Sequence, residues 1–326
     1  MAHYKVKGKS RLTTRTATTS PESLRVCSQI GRLVNDWSWR NDLVVYGGED
    51  SAEGQAVAAF YGDIAEIEVN LKKAFGEATD LSTLGDIYQR DTQFEFPMAT
   101  GILYHEALHA RHTNWDIAYL AENLDNAEGQ AFMLLEESRI EARGISEKPE
   151  NRAFLRASAL EMALEEVNEA TLGSMGGEVW QVANLAGLSL ARYDARILQR
   201  EDVVEIYKVV IETLGEDLYN ELRSVWVEFQ KLGVPQVEEA IALAKKWVEL
   251  LRQADPEGEP SGQGSAFEES EESGEGEGEG SGEGTAPSEA VQKLLDQISE
   301  SALNAELSAN DDLADQQKQE KWQDEA

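Results

Sequence analysis

His105-Glu106-Ala107-Leu108-His109 is the stretch of this chain best equipped for chemistry. Two histidines four apart on a helix lie one turn apart on one face. There two neutral imidazole nitrogens can grip one zinc ion at about 2.0–2.1 Å each. Glu106 sits about a hundred degrees around the helix, placed to reach a metal-bound water rather than the metal. Two ligands, an open position and a base are what metal-assisted hydrolysis requires. The same spacing also arises by chance on solvated helix faces. Against chance stand the flanking Ile102, Leu103, Ala107, Leu108 and Ala110, which a solvated face would not require. The chain has only four histidines, and His105, His109 and His112 are three of them.

A catalytic zinc site usually has three protein ligands and a water, so one ligand remains to be found. His112 follows His105 by seven residues, about 10 Å along a helix rising 1.5 Å per residue, too far to share the ion. It is expected to back the ligands or to lie at the surface. The better candidates are the acids of Leu134-Leu135-Glu136-Glu137-Ser138-Arg139-Ile140-Glu141. They sit among Phe132, Met133, Leu134, Leu135 and Ile140, so some of them point into an apolar interior. A buried carboxylate without a partner is costly, and a metal removes that cost. Glu136 and Glu137 are rivals one residue apart. The plainer alternative is an Arg139–Glu136 pair on a solvated helix.

These residues carry a resemblance. The motif helix, followed some thirty residues later by Leu134–Gly144, resembles the metallopeptidase-like domain that precedes von Willebrand factor A domains in bacteria and phages. It is also similar in layout to the cobaltochelatase subunit that has an acidic linker. Relatives show Leu-Glu-Asp-x-Arg-Ile-Glu, matched here at Leu135, Glu136, Arg139, Ile140 and Glu141, with Glu137 in the place of the Asp. In gluzincins, which this arrangement resembles, the first acid of Glu-x-x-x-Glu ligates zinc and the second steadies a ligand histidine. The resemblance thus implies Glu137 as ligand and Glu141 behind His105 or His109, with Glu136 still open. The metzincin extension does not fit, because it needs Gly where His112 stands and His where Trp115 stands. No Asp-x-Ser-x-Ser metal-adhesion motif is present, so the resemblance implies a fragment or shortened relative, or a C-terminal helix in that domain's place. An AAA+ ATPase partner is implied by the resemblance alone.

Elements that would position these residues can be read around them. Ser20-Pro21-Glu22 reads as a helix start, followed by Val26, Ile30, Leu33, Val34 and Trp37 at helical spacing. Residues 64–70 suit either a short strand or a helix. Phe94 and Phe96 alternate with polar residues before Pro97, which predicts a strand entering the motif helix. Glu128–Arg143 predicts a helix stopped by Gly144. Amphipathic helices are expected over 150–170, 176–199, 201–213, 216–231 and 236–252. The fold class expected is mainly α (α+β): a zincin-like core with a few short strands beside the motif helix. The divisions drawn are a basic arm (1–19), the core (20–145), a helical lobe (146–252), an acidic Gly/Glu/Ser linker (253–288) and a tethered amphipathic helix with acidic tail (289–326).

Charge narrows the function classes. The net charge is −33, of which −18 falls in Gln253–Ala326, with 21 acids against 3 basic residues. Such a field disfavours nucleic acid and anionic membrane as partners. One cysteine excludes an intrachain disulfide and points to a reducing compartment, expected to be the cytoplasm. The expected function is zinc-dependent hydrolysis of a peptide or protein substrate, with His105, His109 and an acid holding Zn2+ and Glu106 as base. Tyr104, His112 and Tyr193 are equal candidates for the oxyanion. The rival is a zincin-like adaptor that docks on an ATPase or phage assembly through its acidic linker and last helix. A DNA mimic is a weaker third, suggested by charge alone.

Overall fold

The computed structural model describes residues 20–48, 57–61, 65–113, 117–164, 167 and 178–258. The basic arm, the linker beyond Gly258, the tethered helix and Trp115 lie outside them. Helix α1 (Pro21–Ser38) starts as its sequence dictates, with Ser20 Oγ accepting from the Ser23 backbone N–H at 3.1 Å and Pro21 in the first turn. Its Val26, Ile30 and Val34 are fully buried. Beside it lies a three-stranded sheet of β1 (Val44–Gly48), β2 (Ala58–Tyr61) and β3 (Glu66–Asn70), ordered β1-β3-β2. β3 pairs parallel with β1 (Val45 opposite Ile67) and antiparallel with β2 (Phe60 opposite Ile67). The ambiguous 64–70 segment is therefore strand from Glu66. From Glu66 to Asn70 polar and apolar residues alternate as a strand requires, yet all five are buried, so both faces of the strand are covered.

Short helices α2 (Leu71–Phe75) and α3 (Arg90–Glu95) lead to the motif helix α4 (Pro97–His112). The strand expected at Phe94 and Phe96 is instead α3. Two alternating aromatics are too short a pattern to fix a period. Phe94 stays exposed, with the Arg90 guanidinium 5.0 Å from its ring centre. Pro97 disfavours helical backbone at Phe96, which separates the two helices. α4 is largely buried, with Leu103, Tyr104, Ala107 and Leu108 in the core.

Helices α5 (Ile117–Asn123) and α6 (Asn126–Glu147) follow. Asp125 and Glu128 form a reciprocal capping box at the start of α6, both bonds being 2.9 Å. Gly144 does not stop α6, which runs on to Glu147. Its function is contact: a Cβ there would stand 2.5 Å from Leu108 Cδ1 of α4. A glycine that permits close helix crossing looks like a C-terminal stop in sequence.

A single turn of 3-10 helix leads into α7 (Arg152–Ser158), which continues as a π turn over Ala159–Ala163. Then come α8 (Val179–Asp194), α9 (Arg200–Phe229) and α10 (Val237–Ala254). α9 breaks at Gly215 (φ 73°, ψ 166°), between the two helices expected there.

Two apolar clusters result. One joins α1, the sheet, α2 and α4; the other joins α5, α8, α9 and α10 around Trp226, Phe229 and Trp247. α6 belongs to both, giving Leu135 to the second and Ile140 and Ile145 to the first. The chain is thus mainly helical with a small sheet beside the motif helix. No helix among the described residues is long and apolar enough to cross a membrane.

Candidate metal centre

The seam between the clusters is where α4, α6 and α8 meet. The 3.6-residue period puts His105 and His109 on the α4 face turned to α6. Their rings meet edge to face, with centres 4.6 Å apart. Their Nε2 atoms are 3.1 Å apart. Glu137 of α6 faces both: Oε2 is 3.2 Å from His105 Nε2, and Oε1 is 3.4 Å from His109 Nε2. These three side chains form a group that could hold a metal ion.

The outer ring nitrogens are fixed from behind. His105 Nδ1 donates to Glu141 Oε1 at 2.9 Å. His109 Nδ1 lies 3.0 Å from Thr113 Oγ1, one turn further along. A proton held on each Nδ1 leaves the Nε2 lone pairs aimed at the common point, which is how metal-ligating histidines are oriented. Arg192 of α8 completes the cluster, with Nε 2.8 Å from Glu141 Oε2 and Nη2 3.0 Å from Glu141 Oε1.

Electrostatics agree with the geometry. Burial opposes charge on His105, yet Glu137 and Glu141 raise its pKa well above the ordinary imidazole value. Burial likewise opposes ionisation of Glu137, but His105 and His109 hold its carboxyl well below the usual range. Burial also opposes ionisation of Glu141, and Arg192 with His105 lowers its pKa in turn. The point between the donors therefore favours positive charge. A tetrahedral ion with bonds of about 2.0–2.1 Å separates its ligands by about 3.3 Å, close to the spacings of these donors.

No family model, no curated protein and no solved structure matches the chain. What the site can do must be drawn from its own atoms.

Glu106 lines the same cleft, a hollow of about 380 Å³ that His105, Glu137, Glu141 and Arg192 also border. Its other walls are mainly apolar: Val57, Ala58, Ile102, Ala159 and Leu188. Two of the acids and histidines singled out in the sequence lie elsewhere. Glu136, the rival ligand, is turned away and gripped by Arg139, whose Nε and Nη2 each lie 2.5 Å from one of its oxygens. The Arg139–Glu136 pair foreseen as a surface contact is real but buried. His112 does not back the paired histidines or Glu137. Its Nε2 is 3.7 Å from Glu147, and burial together with Arg111, Arg139 and Arg143 lowers its pKa to about 4.

None of the three oxyanion candidates borders the cleft. The Tyr104 hydroxyl donates to the Gly144 carbonyl at 2.8 Å, and Tyr193 lines a separate hollow of about 750 Å³. Sequence reading missed Thr113 and Arg192. Thr113 had a usable signal, a hydroxyl four residues after His109. For Arg192 the trace was faint: one cation in the apolar run Leu188-Ser189-Leu190-Ala191.

Proposed function

We propose that the protein is a zinc-dependent metallopeptidase in which His105, His109 and Glu137 hold the ion and Glu106 is the general base. The observation that carries the reading is the pairing of a three-donor group with an acid in one cleft. Structural zinc sites close with four protein ligands, whereas hydrolytic ones keep a position open. Two nitrogens and one carboxylate oxygen are a donor set that zinc accepts. When bound, zinc would lower the pKa of a water towards neutrality and polarise a carbonyl oxygen. Glu106 takes a proton from the attacking water and returns it to the departing amine. The apolar walls of the cleft exclude water and favour an uncharged substrate side chain beside the scissile bond. A volume of about 380 Å³ fits a short stretch of peptide. The resemblance to the metallopeptidase-like domain preceding von Willebrand factor A domains supports the same reading.

The test is Glu106→Gln in zinc-loaded protein offered a mixture of unstructured peptides. Removing a general base lowers turnover about 10²–10⁴-fold. Cleavage should fall by that amount while bound zinc, read by elemental analysis, stays equal to wild type. His105→Ala should lose both. Cleavage by Glu106→Gln at the wild-type rate would overturn the assignment of the base. Wild-type protein that takes up no zinc would overturn the site.

A further inference from the structure

Arg192 reaches the cluster from α8, more than fifty residues along the chain from Glu137 and Glu141, and its side chain is almost wholly buried. Every branch of the guanidinium is engaged. Nε and Nη2 fork onto the two oxygens of Glu141, Nη2 also lies 3.3 Å from Glu137 Oε2, and Nη1 donates to the Leu188 carbonyl at 2.8 Å. Glu141 Oε1 is therefore fixed between two donors, Arg192 Nη2 and His105 Nδ1. One cation thus touches both the carboxylate of the donor group and the carboxylate that orients a donor imidazole. α8 itself lies close to α6, because Gly187 carries no Cβ where one would stand 2.8 Å from Leu134 Cδ2.

We propose that Arg192 is a positioning residue for the metal centre: its fork holds Glu141 against His105 and sets the angle of Glu137, so docking of α8 assembles the site. A planar fork can bind two oxygens of one carboxylate and touch a second, whereas a lysine ammonium is a single point of charge. A residue that served only to balance charge would tolerate that exchange. The inference rests on the metal reading above and extends it to a residue from outside the two motif helices.

The experiment compares Arg192→Lys and Arg192→Gln with wild type, using zinc alone as the probe in chelator competition. Co2+-substituted protein is followed in parallel by its visible spectrum. Loss of a group that orients a metal ligand typically weakens metal affinity 10–100-fold. We expect Arg192→Gln to fall in that range, and Arg192→Lys to be weaker than wild type but tighter than Gln. The cobalt bands should shift in both. Lysine carries the decision if Gln fails to fold. Lysine protein with wild-type zinc affinity and an unchanged cobalt spectrum would overturn the proposal, even if its melting temperature had dropped. Failure of the metal reading looks different, because wild-type protein itself would then bind no zinc.

Discussion

Helix α6 carries acids on two faces, Glu136 and Glu141 buried and Glu137 half-buried, and the two faces meet different environments. Glu137 and Glu141 look towards two imidazoles and share one cation, Arg192. Glu136 looks into an arginine-rich seam, where Arg139 takes both its oxygens. Arg139 also donates to the carbonyls of His112 (2.7 Å) and Leu232 (3.2 Å), so it ties α6 to the end of α4 and to the loop after α9. The histidines follow the same division. Carboxylates raise the pKa of His105, while burial and arginines depress that of His112 on the same helix. The residue type is thus only half of a site. The partner supplied by the next element decides whether an acid is closed off in a salt bridge or joins a group that could hold a metal ion.

The largest expected effect comes from breaking the arginine-rich side. Arg139→Ala leaves Glu136 buried without its partner and removes two carbonyl caps. Removing one member of a buried pair costs about 3–5 kcal/mol. We expect a large fall in stability by denaturant titration. Zinc affinity of whatever remains folded should stay near wild type, because Arg139 touches none of the three donors. A zinc affinity that fell with Arg139 would mean the two sides are not separate.

Breaking the carboxylate side should do the reverse. Glu141→Gln keeps the shape of the side chain, but it weakens the acceptor of the His105 proton and the partner of Arg192. Orienting partners of this kind are worth about 10–100-fold in metal affinity, or about 1.4–2.7 kcal/mol. Zinc competition should show that loss. The matched Glu136→Gln should leave affinity unchanged, and equal losses in the two variants would erase the contrast.

The same contrast explains what could be read in advance. The pair His105/His109 and the acid Glu106 between them were legible, because helical spacing alone places them. The choice between Glu136 and Glu137 was not. It turns on how α6 is rotated against α4, which follows from Leu135 facing one cluster while Ile140 and Ile145 face the other. Arg192 was still less visible, because its partners are more than fifty residues away and only tertiary packing brings them together. The fold class was legible from amphipathic spacing, and so was the break at Gly215, which falls between the stretches 201–213 and 216–231. Gly144 misled because a glycine admits two uses, stopping a helix or letting another approach, and Leu108 settles which.

The smallest effect expected is a pH dependence on the arginine-rich side. His112 is buried, its Nε2 makes no hydrogen bond, and the charges around it are Arg111, Arg139 and Arg143 against Glu147. Burial first, then the three arginines, hold its pKa near 4 against an ordinary 6.5. Below pH 6.5 the unfolded chain therefore takes a proton at this position that the folded chain refuses. Stability from this group is complete above about pH 6.5, declines as the pH falls towards 4, and changes no further below that. Other buried groups also titrate in acid, so the contribution must be read as a difference. Melting temperatures of wild type and His112→Gln should run parallel above pH 7, and wild type should lose more between pH 6.5 and 4. Parallel curves across the whole range would show that Glu147 offsets the three arginines, and that the contrast between the two ends of the motif helix is weaker than their surroundings imply.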